Sequence, residues 1–204
     1  QVAPLRTGRA LVARLANARL MDMPGIGHVP MQEAPGPFCD LLLPGLREPV
    51  QPKAAPPTWV ASDRTVKITG QRDQVVTGAF RRLEIENCTN LKLSGVTAGS
   101  LVITGSSVDI EDSLIVSSLV GIEARDAKVT ITGGRVTAAT CIVADGTTVD
   151  SAGVAFEAQE AVVKTNTDAT AVFSICKARV AGQAKVLHGI EKLAAEPKTG
   201  SEPR

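Results

Sequence analysis

Val108-Asp109-Ile110, Val129-Thr130-Ile131 and Val149 recur at spacings of 21 and 20 residues, and this recurrence decides the fold. Between them Ile122, Ile142 and Val162 return at 20 and 20. A third set, Val96, Leu114, Val136 and Val154, follows at 18, 22 and 18. Three short alternating segments in each unit of about 20 residues describe coils that lay their apolar positions on those of the next coil. Gly95, Gly105, Gly133, Gly134 and Gly153 fall between the segments, where the chain must bend sharply. Aromatic residues make up only 2% of the chain, with no Tyr, a single Trp59 and four Phe. A core of Val, Ile, Leu and Ala favours thin, regular layers over a bulky centre.

From Trp59 onward this texture resembles right-handed parallel β-helix domains over about 120 residues, a likeness that rests on period and composition. A β-sandwich of similar short strands is the alternative. The expected fold class is mainly β, a right-handed parallel β-helix of about 20-residue coils over residues 59–183. Val186, Leu187, Ile190 and Leu193 fall on one helical stripe. Residues 184–196 are therefore expected as a terminal helix covering the open end of the solenoid, and residues 197–204 as a disordered tail. Residues 49–58 read as a semi-extended linker, because the stretch from Arg47 to Thr58 holds four prolines.

Apolar residues at 44% and charged residues at 21% are ordinary for a globular protein. The net charge of +1, with no long block of one sign, argues against nucleic acid or an anionic membrane as partner. No stretch approaches the roughly 20 apolar residues that span a bilayer. Cys39, Cys88, Cys141 and Cys176 are widely spaced with no Cys-x-x-Cys pair, so buried reduced thiols are expected rather than a metal site. No cofactor is expected, and the compartment stays open.

Residues 1–48 have a different texture, helix-strand-helix. Thr7 is placed to cap a helix from Gly8 to Ala16, with Leu11 and Leu15 on one face and Asn17 as its stop. A strand at Leu20–Met23 leads into the turn Pro24-Gly25-Ile26-Gly27-His28. An acidic, proline-started helix through Phe38, Leu41, Leu42 and Leu46 follows. One strand and two helices cannot bury their apolar faces alone.

This segment, up to Arg47, resembles the end of an α/β-hydrolase-fold domain, whose catalytic histidine sits in a loop after the last strand. The likeness implies that His28 is the general base and that Gly27 is the small residue letting the loop pass the active site. It matches Glu33, Ala34 and Pro35 to the start of the final helix, with Glu33 in a structural role. It places the acid immediately before Gln1 and a Ser or Asp nucleophile further upstream. No Gly-x-Ser-x-Gly elbow occurs in the chain, and Pro44-Gly45 is expected to end or kink the final helix. The implied activity is hydrolysis of an ester or related bond in a small-molecule substrate, carried out by a longer protein, with these 204 residues inactive alone.

Many β-helices act on polysaccharides, through carboxylates converging on one outer wall. Asp109, Glu111 and Asp112 lie close together, but one coil later their places are taken by Thr130, Thr132 and Gly133. Arg125, Asp126 and Lys128 cluster at a turn. His188 has no flanking pattern that marks it. For the β-helix a structural or protein-docking role is favoured over catalysis.

Overall fold

The computed structural model describes residues 8–9, 11–12, 15, 18–27, 29–47 and 58–193. The chain divides into two compact units between residues 55 and 56, inside the proline-rich stretch. His28, the linker up to residue 57 and the tail at 197–204 lie outside the described residues.

In the second unit, six coils of parallel strands form a β-solenoid. The strands are β1 (Thr65–Thr69), β2 (Val75–Val76), β3 (Ala79–Glu86), β4 (Leu91–Ser94), β5 (Thr97–Thr104), β6 (Ser107–Glu111) and β7 (Leu114–Val116). They continue as β8 (Val120–Arg125), β9 (Lys128–Thr132), β10 (Arg135–Asp145), β11 (Thr148–Ala152), β12 (Ala155–Lys164), β13 (Ala169–Val180) and β14 (Gln183–Leu193). Side chains alternate in and out along each strand, so one inward residue per coil lands on its equivalent in the next. One inward row reads Leu91, Val108, Val129, Val149 and Ala171. A second reads Leu83, Leu101, Ile122 and Ile142. A third reads Ala98, Ile115, Val136, Phe156 and Ala178. Nearly every member is fully buried, and these rows are the core.

Two corners repeat in every coil and impose the same backbone on the residue that turns them. Gly70, Asn87, Gly105, Asp126 and Gly146 form one column, with φ between 49° and 66°. Gly95, Asp112, Gly133, Gly153 and Ile175 form the other, with φ between 45° and 69°. Left-handed backbone is open to glycine and tolerated by Asn and Asp, so the sequence places those types there. In the first column glycine alternates with Asx for a second reason. A Cβ on Gly105 would sit 2.8 Å from the Asn87 carboxamide oxygen, and one on Gly146 2.5 Å from the Asp126 carboxylate. Ile175 is the exception, a β-branched residue at φ 54°.

Residues just after each corner close the hydrogen-bond account. The Ser106 hydroxyl accepts the Cys88 N–H (2.9 Å) and donates to the Thr104 carbonyl (2.7 Å). Ser113 does the same between the Val96 N–H (3.1 Å) and the Glu111 carbonyl (2.9 Å). Thr147 does so between the Ala127 N–H (3.2 Å) and the Asp145 carbonyl (2.8 Å). Backbone donors that a corner would otherwise bury unpaired are thus satisfied from the next coil.

Several expectations are corrected. The third recurrent set mixes three rows: Val96 and Val154 are buried corner residues, Leu114 pairs with Arg135, and Val136 pairs with Ile115. Ile142 pairs with Val163, not Val162, because the register shifts between Ala138 and Thr140. Residues 183–193 form β14, antiparallel to β13, in place of the expected helix over 184–196. Ala181 and Gly182, at φ 47° and 81°, make the two-residue turn that folds β14 back, and the unpaired edge of β13 then templates it. Gly189, at φ 99°, lies inside the helical stripe of the sequence and carries β14 round the corner.

In the N-terminal unit, Gly8, Arg9, Leu11 and Val12 are helical, as expected. Leu20–Met23 forms no strand, since no neighbouring strand exists among the described residues of this unit to receive its hydrogen bonds. The Ile26 N–H donates to the Met23 carbonyl (3.2 Å), with Pro24 and Gly25 (φ 77°) at the centre of the turn. Short helix Pro30–Glu33 precedes helix Pro35–Arg47, which begins on a proline and runs through Pro44 rather than ending there. Among residues 8–44, none whose burial is described is buried.

The corners yield a prediction. Gly70→Ala adds only left-handed strain, about 1 kcal/mol, since nothing lies within 4 Å of its new Cβ. Gly134→Ala (φ 72°) drives a Cβ into the Ser113 carbonyl oxygen and is expected to cost about 3 kcal/mol or more. Equilibrium urea unfolding of the two variants measures the difference.

Candidate functional site

The turn that carries position 28 is fixed by Glu33. Its carboxylate accepts the Gly27 N–H (2.6 Å) and the Val29 N–H (3.2 Å), so the helix clasps the loop on both sides of residue 28. A side chain at Gly27 would place its Cβ 2.6 Å from those oxygens. Gly27 is therefore small because it receives the Glu33 carboxylate, and Glu33 is spent on backbone. No described residue supplies a nucleophile to this turn.

On the solenoid the outward charges hold coils to one another. Lys67 meets Glu86 (2.8 Å), Lys92 meets Glu111 (2.8 Å) and Arg135 approaches Glu157 (3.9 Å), each from one coil to the next. Arg82 with Glu84, Arg125 with Glu123 and Lys164 with Glu160 pair within a coil. The hydrogen bond that Lys67 donates to Glu86, with that carboxylate's charge, raises the Lys67 pKa, and the hydrogen bond from Lys164 lowers that of Glu160. The acidic triplet does not act as a unit: Asp109 stands in a row between Lys92 and Thr130, Glu111 is paired with Lys92, and Asp112 turns a corner. Arg125, Asp126 and Lys128 lie at a turn, in agreement with the sequence, with Asp126 as its left-handed residue. His188 is exposed on β14.

Three thiols are structural. Cys88 and Cys176 occupy the position after a corner and donate to the Glu86 and Ser151 carbonyls at 3.3 Å each, much as Ser106 does. Burial pushes the Cys141 thiol up to about 11, so it remains protonated at neutral pH.

One feature had no signal in the recurrent pattern. The last corner of the first column is a longer loop, residues 165–168, held by the Asp145 carboxylate. That group accepts the Asn166 N–H (2.6 Å), the Thr167 N–H (3.2 Å), the Asn166 side-chain amide (3.1 Å) and the Thr165 hydroxyl (3.4 Å). Burial alone would raise the Asp145 pKa, but these hydrogen bonds together outweigh it and leave the pKa below 3.8. Beside the loop lies a shallow cleft of about 390 Å³, where Thr148, Thr170 and Asp168 supply polar groups and Leu193 an apolar side. Among the described residues no group of three or more His, Cys, Asp or Glu is arranged to hold a metal, and no helix is long and apolar enough to cross a membrane.

Comparison with protein-family models, with curated proteins and with solved structures finds no match to this chain.

Two measurements test these assignments. A thiol reagent at neutral pH should titrate one cysteine, Cys39, in the native protein and four after denaturation, since the other three are buried. Asp145 has a depressed folded pKa, so its contribution is complete well above 3.8 and is lost as pH falls through the folded value. The stability gap between wild type and Asp145→Asn should therefore be constant near neutrality and close on acidification below pH 3.8, as read by chemical denaturation at a series of pH values.

Proposed function

We propose that the chain is a non-catalytic solenoid scaffold that binds a partner on its outer walls. The observation that carries this reading is how the reactive side chains are used. Twelve of the wall charges form six ion pairs between or within coils, corner hydroxyls and thiols hydrogen-bond to backbone, and Glu33 and Asp145 clasp loops. Groups held in this way stiffen a surface; they do not converge on a point where a substrate bond would sit. The cleft beside residues 165–168 is one concave feature such a scaffold offers, and Thr148, Thr170 and Asp168 suit it to a polar ligand group.

A second reading keeps residues 1–47 as the end of an α/β-hydrolase domain with His28 as base, working with a nucleophile and acid supplied upstream. It is favoured by the Glu33 clasp, which shapes the turn around residue 28, and by the start of the last helix at Pro35. Exposed Leu11, Leu15, Leu20, Met31, Leu41 and Leu43 also fit a segment made to pack on a larger sheet. The absence of a strand at Leu20–Met23 weighs against it. Both readings expect the 204 residues alone to be inactive, so p-nitrophenyl acetate and butyrate are offered to a protein that carries this sequence together with the residues encoded upstream of Gln1. The scaffold reading expects no turnover above the buffer rate. Saturable turnover that His28→Ala lowers by several orders of magnitude would overturn it in favour of the hydrolase.

A further inference from the structure

We propose that β14 is a homotypic docking edge, through which two copies of this chain join by antiparallel pairing of their β14 strands about a two-fold axis at His188. What the outer walls bind has no bearing on this edge.

Among the described residues β14 hydrogen-bonds only to β13, so its other edge presents a row of free N–H and C=O groups along 11 residues. Val186 and Ile190 are each 70% exposed, an unusual state for two large apolar side chains on an ordered strand. Leu187 between them is buried, so Val186, His188 and Ile190 point outward together.

The order of residues along the strand is self-complementary. Antiparallel pairing centred on His188 sets Val186 against Ile190 of the second copy, twice, making two apolar cross-strand pairs. It sets Lys185 against Glu191 of the second copy, also twice, so these two opposite charges meet, while Lys192 falls opposite Ala184. Leu187 then faces Gly189, where there is room for it. Moving the centre to Leu187 puts Lys185 opposite Gly189, and moving it to Gly189 puts Glu191 opposite Leu187. Either shift separates Lys185 from Glu191 and breaks both opposite-charge pairs, so one register is singled out.

The corner agrees with that centre. β14 bends at Gly189 (φ 99°), where β13 carries the extra residue Ile175, and the two arms of β14 lie along two different walls. A two-fold axis through the bend exchanges these arms, so the arm at 183–187 of one copy meets the arm at 190–193 of the other. The two solenoids stack end to end, as consecutive coils do, and the interface is isologous.

Lys185 and Glu191 stand at inward register positions, opposite the buried Ala178 and Ala171. Inward charges at a sheet edge repel indiscriminate pairing. Here they admit the one partner strand that neutralises both.

Analytical ultracentrifugation of the full chain over a concentration series tests the proposal, with circular dichroism confirming that each variant keeps its β content. Wild type is expected to dimerise reversibly. Lys185→Glu and Glu191→Lys, each alone, bring like charges together and should raise the dimer dissociation constant at least about tenfold. The double variant restores both opposite-charge pairs and should recover the wild-type constant. Ile190→Lys, at an exposed position, should leave a folded monomer. A wild type that stays monomeric, an association indifferent to these changes, or a double variant as weak as the singles overturns the proposal.

Discussion

Each coil must turn two sharp corners while its backbone stays in register with the coils on either side, roughly 4.8 Å apart. The turning residue cannot relax outward, because its own N–H bonds to the next coil, as Gly105 does to Arg125 and Asp126 to Asp145. Left-handed backbone is the solution at every level of both columns, and the side chain there is constrained in turn by the coil beyond it. Gly134, whose Cβ would collide with the Ser113 backbone, shows how little slack remains. Strand composition is free by comparison: an inward position needs only to be apolar and of the right size, and Ala124, Ala144 and Ala171 serve beside Ile and Leu in equivalent roles.

That difference explains what the sequence makes legible. The row Val108, Val129, Val149 is readable because the corners on both sides are tight and of equal length, so the spacing is nearly constant. The remaining wall hides its register. β7 and β8 are separated by Ser117-Ser118-Leu119, whereas β5 runs through the equivalent corner unbroken, and β10 and β12 change register there. Val96 and Val154 misled for a related reason: a residue following a left-handed corner is as fully buried as one on a strand. Hydrophobicity registers burial and cannot tell the two apart. The helical stripe of 186, 187, 190 and 193 fails through tertiary override, an open strand edge offering more hydrogen bonds than a short amphipathic helix.

The candidate site was legible to a lesser degree. Pro24-Gly25 as a turn follows from local chemistry, and Glu33 in a structural role agrees with the bonds its carboxylate accepts; Gly27, expected small from the hydrolase likeness to let the loop pass an active site, is small here because it receives Glu33. What local sequence does not contain is long-range assignment. Asp145 reads as one acidic residue at a strand end, and only the fold brings residues 165–167 onto its carboxylate. Likewise nothing in the local sequence assigns a partner to the Ser106, Ser113 and Thr147 hydroxyls; the coil spacing places a backbone N–H over each.

The ends of such a stack pose a problem that its middle does not. An internal strand is satisfied along both edges; a terminal one is satisfied along one, and its inward side faces the exposed end of the core. β14 meets the first difficulty by folding back on β13 and the second by burying Leu187 against Cys176. Folding back also changes the character of the end. A parallel edge would accept the leading coil of another copy in head-to-tail fashion, a contact that repeats without limit. The antiparallel return of β14 reverses the direction of the last edge, so that a second β14 is its natural complement and the contact closes on itself. Gly189 and the charges at 185 and 191 narrow that edge further, since a strand that lacked the bend or the opposite charges would leave carbonyls or ions unpaired. The same device that finishes the solenoid therefore limits what can be added to it.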